Sequence, residues 1–333
     1  MAKAADVVVL AVGTDLSWAA EGHDARSIDF SPAQAALLEQ VAAAAKKPVI
    51  VALFTATPLD LSALLASTKV GAILHLGQPS VTVLGVAPLL FGDVSPAGRM
   101  VQTVYESAYQ QQISIFDFGM RPGPSPFARP DCTDHNVTAC TKGTNPGRTY
   151  RFYTGRPVVP FGFGLSYTSF AYSQRAALIE APPPTIDLAP LRSLLREADG
   201  AGHPFVRSDA ADAARLSAGL AGRGSALRDA FTVNVTNTGV MDADDVVLGF
   251  LTPPGAGKDG VPLKTLFAFE RVHVPAGKMV SVFLYPSFTD FAIADGATGK
   301  MAAAPGDWKV SFGVEETAKG GGGYLAARMI RAA

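Results

Sequence analysis

Cysteine is almost absent: Cys132 and Cys140 are the only two in 333 residues. No CxxC pair and no clustered histidine stands beside them, so their spacing suits a small loop disulfide better than a metal site. An excess of charge of one sign is also lacking. Lys and Arg number 28 against 29 Asp and Glu, a formal net charge of -1, which removes the basic stripe expected of a nucleic-acid binder. Long hydrophobic runs are missing too. The apolar runs at 7–12, 49–54 and 72–76 fall far short of the ~20 residues that a membrane-spanning helix needs. The opening MAKAADVVVLAVG lacks the charged segment, longer apolar stretch and small-residue cleavage site of a signal peptide, and enters a strand almost at once.

Core-forming material is plentiful: 48% of the residues are hydrophobic and 17% charged. At about 150 residues per domain the length suggests two domains. Residues 6–100 alternate strand and helix. The run at 7–12 reads as a strand covered on both faces. Ser31-Pro32-Ala33-Gln34 opens a helix with Ser as N-cap, Pro at the first helical position and Gln completing a capping box. That helix runs to Lys46-Lys47, whose charges suit its C-terminal end, and Pro48 stops it. Strands follow at 49–54 and 70–76, with a second helix at 81–91. Short connections between strands and helices imply parallel pairing and a layered α/β sandwich domain, with an incomplete, mostly parallel sheet.

Residues 121–147 read as loop, and 148–170 carry a run of aromatics. A linker or insertion is expected at 173–228, with three prolines at 182–184 and one short helix near 188–198. Period-two alternation then marks strands at 231–235, 246–251, 271–274, 280–284 and 308–312, separated by turn signals, which predicts a β-sandwich. The expected division is 1–172 for the α/β domain, 173–228 for the linker, 229–315 for an all-β domain and 316–333 for a loose tail containing GGGG.

Six segments, in this order, resemble glycoside hydrolase family 3, in particular its β-xylosidase-like branch. They are AVGTDLSWAAEGHDARSIDFSPAQ (11–34), KKPVIVALFTATPLDLS (46–62), LLFGDVSPAGRMVQTVY (89–105), GRTYRFYTGRPVVPFGFGLSYTSF (147–170), VTNTGVMDADDVVLGFLTPP (235–254) and PLKTLFAFERVHVPAG (262–277). The fourth is the most specific, through its Pro-Phe-Gly-x-Gly-Leu-Ser-Tyr-Thr-x-Phe ending. The resemblance implies the C-terminal half of an enzyme: the family's α/β sandwich domain, truncated at its N-terminus, followed by a fibronectin type III-like domain. It also implies a (β/α)8 barrel, not found in this chain, that contributes the nucleophilic Asp.

The family's acid/base lies on the loop after the strand at 7–12, and the residue that matches it is Glu21. Trp18 and Ala19-Ala20 precede it, and Gly22 allows close backbone approach to a sugar. Asp15, Trp18, His23 and Asp24 are the accompanying candidates for substrate contact; the plainer reading of Asp24 is a set of hydrogen bonds that hold the loop. The family's Asp-Arg pair is here Asp24-Ala25-Arg26, with Arg displaced by one position. The glycine-rich pattern that the family shows near 77–85 is altered by Ser80 and Leu84. Arg99, at the family's Gly-Arg position, is expected in a structural salt bridge beneath the sheet. The aromatics Tyr150, Phe152, Tyr153, Phe161, Phe163, Tyr167 and Phe170 are expected mainly in cores rather than as sugar platforms, and Trp308 in the sandwich core.

The activity implied is exo-acting, retaining hydrolysis of terminal β-linked sugars, of the β-D-xylosidase type. Its partners would be oligosaccharide or polysaccharide chain ends, with no metal, no cofactor and no nucleic acid. A single general acid cannot carry double displacement, so the chain by itself is expected to be inactive. A non-catalytic carbohydrate-binding or scaffold chain is the alternative. A nucleotide-binding domain is disfavoured because VGTDLS, not GxGxxG, follows the first strand. The Cys132/Cys140 pair and the glycosylation sequons at Asn136 and Asn234 point to an extracellular setting.

Overall fold

The computed structural model describes residues 1–132, 140–174, 182–200, 230–314 and 326–333. The first layered unit contains β1 (Val9–Gly13), α1 (Pro32–Ala44), β2 (Val49–Phe54), α2 (Ser62–Ala66) and β3 (Val70–Gly77), its strands parallel in the order β1-β2-β3. The central strand carries the core. Val49, Val51 and Leu53 are completely buried and pack with Leu38 and Ala42 of α1 and Leu64 of α2. The expected cover on both faces of the first strand does not hold. Val7, ahead of β1, and Val9 are exposed while Val12 is buried, and β1 lies at an edge of the sheet.

The capping box at α1 is half realised. Ser31 Oγ accepts from the Gln34 N–H at 3.3 Å, but the Gln34 side chain turns to β1. There its Oε1 accepts from the Gly13 N–H (3.0 Å) and its Nε2 donates to the Gly13 carbonyl (2.6 Å). Two long-range bonds to a strand end replace one local bond. The helix stops at Ala44, so Lys46 and Lys47 lie beyond it; Lys46 donates to the Ala4 carbonyl and pairs with Asp6 instead. The expected second helix at 81–91 is divided into a 3-10 turn (Val81–Gly85) and α3 (Val86–Phe91). The β-branched Val81-Thr82-Val83 and Gly85 are weak α-helix formers, which accounts for the division.

Within the stretch expected as loop, β4 (Gly123–Ala128) and β5 (Lys142–Asn145) form an antiparallel hairpin. Cys132 and Cys140 are disulfide-bonded across its end, with a Cα–Cα distance of 5.8 Å. Asn136 lies outside the described residues. A single turn, α4 (Thr149–Phe152), leads into the aromatic segment.

The second unit is a β-sandwich. Its strands are β6 (Phe170–Ser173), β7 (Thr185–Ile186), β8 (Thr232–Asn237), β9 (Ala243–Thr252), β10 (Thr265–Val274), β11 (Met279–Phe283), β12 (Ala292–Ala294), β13 (Met301–Ala303), β14 (Gly306–Phe312) and β15 (Ala326–Ala332), with helix α5 (Ala189–Gly200). One sheet runs β10-β9-β14-β15-β7 and the other β11-β8-β6. Phe231, Phe291, Trp308, Phe312 and Ile330 fill the space between them.

In this second unit the structure departs from the sequence expectation at the linker and at the tail. The expected linker contributes β7 and, where the sequence predicts a short helix, α5, and it is no mere linker, since Leu188 and Leu191 are fully buried in the sandwich core; residues 175–181 and 201–229 lie outside the described residues. The expected loose tail contains β15, which pairs antiparallel with β14 and parallel with β7. A glycine-rich approach hides a strand from a composition-based reading, but RMI at 328–330 has the needed alternation: Arg328 and Ile330 are buried and Met329 is exposed. Ile330→Val is accordingly expected to lower stability by about 0.5–1.5 kcal/mol, measured by chemical denaturation, while Met329→Leu leaves the midpoint unchanged.

The two units share an interface. Tyr150 and Phe161 stack at 4.3 Å and meet Phe250 of β9 edge-on, beside Leu248 and Val314. Gly162 adopts φ +83°, and a Cβ there would lie 2.5 Å from the Leu248 side chain and 2.9 Å from that of Val314, so any other residue would strain the backbone and displace both neighbours. Arg99 bridges the units as an ion pair with buried Asp245, rather than beneath the parallel sheet.

Candidate active site

The candidate site is the loop 14–30, which leaves the carboxyl end of β1, the end where open α/β sheets bind ligands. Its entry is fixed. The Gln34 amide holds Gly13 from both sides, the Thr14 N–H donates to the Phe54 carbonyl (2.8 Å), and Thr14 Oγ1 lies 2.9 Å from buried Thr55 Oγ1. The loop then folds into a two-residue turn. Ala20 N–H donates to the His23 carbonyl (2.8 Å) and His23 N–H to the Ala20 carbonyl (2.9 Å), leaving Glu21 and Gly22 at the tip. Gly22 has φ +74° with open space where a Cβ would be, so its glycine serves backbone conformation rather than packing.

Glu21 is exposed at this tip, and among the described residues none bonds its carboxylate. His23 and Asp24 are exposed on the returning arm. Asp15 acts locally. Its Oδ1 accepts from Ser17 N–H (2.9 Å) and Ser17 Oγ (2.5 Å), and the Ser17 hydroxyl bond holds its carboxyl below the usual range. Trp18 is partly buried and packs against the parallel-sheet core. Glu21 and His23 therefore share one turn, while Asp15 orders residues 17–19 ahead of it through its carboxylate and its carbonyl.

The exit of the loop is tied down by residues that the sequence pattern did not mark. The Ile28 N–H donates to Gln110 Oε1 (2.8 Å), and Gln110 Nε2 donates to Ser27 Oγ (3.1 Å) and Asp29 Oδ2 (3.3 Å). Ser107 Oγ donates to Asp29 Oδ1, and its N–H donates to Asp60 Oδ2 (2.9 Å). The Ser107 hydroxyl is the main reason that the Asp29 carboxyl is held low. Gln110 and Ser107 lie about 80 positions from the loop in sequence, so no local pattern could have indicated them. Of the aromatics weighed as sugar platforms, Phe152 is buried, Phe163 packs on the parallel-sheet core and Phe170 on the sandwich core. Tyr153 meets Tyr105 and Tyr109 edge-on, and Tyr167 is exposed, its hydroxyl donating to the Leu89 carbonyl.

This arrangement, a parallel sheet with an acidic turn at its carboxyl end followed by a β-sandwich, has known relatives. Residues 1–167 match the glycosyl hydrolase family 3 C-terminal domain and residues 245–315 the fibronectin type III-like domain. The chain belongs to glycosyl hydrolase family 3. A probable β-D-xylosidase of Arabidopsis thaliana is 33% identical over 89% of this chain and 34% of its own length. A probable exo-1,4-β-xylosidase of Aspergillus oryzae is 32% identical over 94% of this chain and 33% of its own. The fold is shared with a family 3 exo-β-xylosidase solved with a xylobiose aziridine probe (TM-score 0.70, 22% identity, 99% of this chain and 36% of that one). A β-glucosidase of Bifidobacterium adolescentis shares it with a TM-score of 0.63 at 21% identity, over 99% of this chain and 40% of that one. The chain thus spans about a third of the length of the curated relatives it matches.

Proposed function

We propose that this chain supplies the proton-shuttling part of a retaining exo-β-glycosidase that removes xylose from the ends of β-linked oligosaccharides, with Glu21 as general acid and base. The observation that carries this reading is the placement of Glu21: a lone, outward carboxylate on a tight turn, braced at both ends of its loop, at the carboxyl end of the sheet. The xylosidase names of the relatives support a pentose substrate.

In double displacement one carboxylate attacks the anomeric carbon while the other protonates the departing oxygen, and the second then deprotonates the incoming water. The two must stand about 5–5.5 Å apart. The nucleophile is assigned to a (β/α)8 barrel, the partner that family membership implies. A general acid at neutral pH also needs its carboxyl shielded from water. The exposed tip has no such shield of its own, so the docked barrel would provide both nucleophile and cover. Both steps use carboxylates and water alone.

The disulfide, and the sequon at Asn234 on β8, where Asn234 Oδ1 accepts from Ser281 Oγ (2.7 Å), support residence in an oxidising, secretory compartment. Among the described residues no helix is long and apolar enough to cross a membrane.

Aryl β-xylosides test the reading. The chain alone is expected to give no hydrolysis above background, and the chain joined to the N-terminal portion of a β-xylosidase relative to release xylose. Hydrolysis by the isolated chain, or none by the joined enzyme, would overturn it.

A further inference from the structure

We infer that Gln110 is a positioning residue for the Glu21 loop, acting as a clamp between the turn at 107–110 and the loop's exit segment at 27–29. This rests on the acid/base reading of Glu21, but the clamp can be measured independently. Three chain segments meet there. The 107–110 turn holds the 27–29 segment through Gln110 and Ser107, and Asp60 receives the Ser107 N–H. The Asp60 N–H donates in turn to the Ile28 carbonyl (2.7 Å), closing a ring of bonds around residues 27–29.

Gln110 is the member of the ring that uses both halves of its side chain on the loop. Its oxygen takes a backbone N–H, and its nitrogen serves a hydroxyl and a carboxylate. An amide suits this position for a definite reason: the Ile28 N–H requires an acceptor while Asp29 requires a donor. A carboxylate could satisfy only the first and would face Asp29 with like charge. An ammonium could satisfy only the second. Gln34 plays the matching part at the loop's entry, with both ends of its amide on Gly13. Residues 22–26, between Glu21 and Ser27, therefore hang from a fixed point, and the turn's aim follows from it.

The test uses the full chain and its two tryptophans. Trp18 lies on the loop and Trp308 is buried in the sandwich, its Nε1 donating to the Ala304 carbonyl (2.9 Å). Trp18→Phe separates the two signals. Gln110→Ala is expected to raise acrylamide quenching of Trp18 about twofold, with the denaturation midpoint read at Trp308 unchanged. Gln110→Glu alone is expected to do the same. Combined with Asp29→Asn it exchanges the carboxylate and the amide across the contact, and quenching is expected to return to the wild-type value.

In an enzyme in which this chain supplies the C-terminal third, Gln110→Ala is expected to lower kcat about 10²-fold with KM little changed, the signature of a misplaced catalytic group. Wild-type quenching and kcat in Gln110→Ala, or failure of the exchanged pair to restore either, would overturn the clamp. Glu21→Gln is measured alongside. If it leaves hydrolysis intact, the acid/base reading fails while the quenching result still decides whether the clamp exists.

Discussion

Glu21→Gln, made in an enzyme that carries this chain as its C-terminal third, is expected to lower kcat/KM for xylobiose by about 10²–10⁴-fold, the range general acid–base catalysis supplies. Gln keeps the length and shape of the side chain but neither gives nor takes the proton. Because Glu21 stands exposed with no described partner, the substitution should leave stability within about 0.5 kcal/mol of wild type. The pH dependence should change as well. The limb on the alkaline side of the bell-shaped profile, which reports loss of the acid's proton, should vanish in the variant. Asp15→Asn offers a contrast, since that carboxylate braces Ser17 within its own loop. Its effect should stay well below that of Glu21→Gln.

The second large effect lies at the junction of the two units. Asp245→Ala is expected to destabilise the protein by about 3–5 kcal/mol, as breaking one side of a buried ion pair does. Asp245 is 1% exposed. Its Oδ1 receives Arg99 and the Val246 N–H (2.9 Å), and its Oδ2 receives the Tyr172 hydroxyl (2.6 Å). The Arg99 guanidinium also donates to the Gly164 carbonyl (2.6 Å), so it stays in place when its counter-ion is removed. Arg99 would then keep the Gly164 carbonyl but lose its counter-charge, and the Tyr172 hydroxyl would lose the Asp245 carboxylate it donates to. Equilibrium denaturation followed at Trp308 measures the loss. An unchanged midpoint would mean that solvent reaches Arg99 and that the units are not coupled through this pair.

Much of the fold is legible because short-range rules govern it. Val49, Val51 and Leu53 read as a buried strand from their apolar run, and the alternation at 231–235 and 308–312 reads as sandwich strands; the structure has β8 at Thr232–Asn237 and β14 at Gly306–Phe312. What escaped the sequence depends on distant partners. Gln34 satisfies the capping-box pattern yet bonds Gly13, 21 residues away, because the strand end offered two unpaired backbone groups. The β15 strand follows a glycine run and carries two arginines, Arg328 and Arg331, so its composition suggests solvent; its place between β14 and β7 gives it a core face. At the candidate site, the loop, its glycine and the acidic tip were legible from a local motif. The ring formed by Asp29, Asp60, Ser107 and Gln110 was not, because hydrogen bonds between segments far apart in the chain leave no periodic trace.

The central claim, that Glu21 delivers the proton to the departing oxygen, is tested most directly by varying the leaving group. The ratio of wild-type to Glu21→Gln rates is measured for the glycosylation step with xylobiose and with 2,4-dinitrophenyl β-xyloside. A dinitrophenolate departs without protonation, so the ratio should be large for xylobiose and close to one for the aryl substrate. Equal losses on both substrates would contradict the account, because a residue that matters regardless of leaving-group basicity is not the acid.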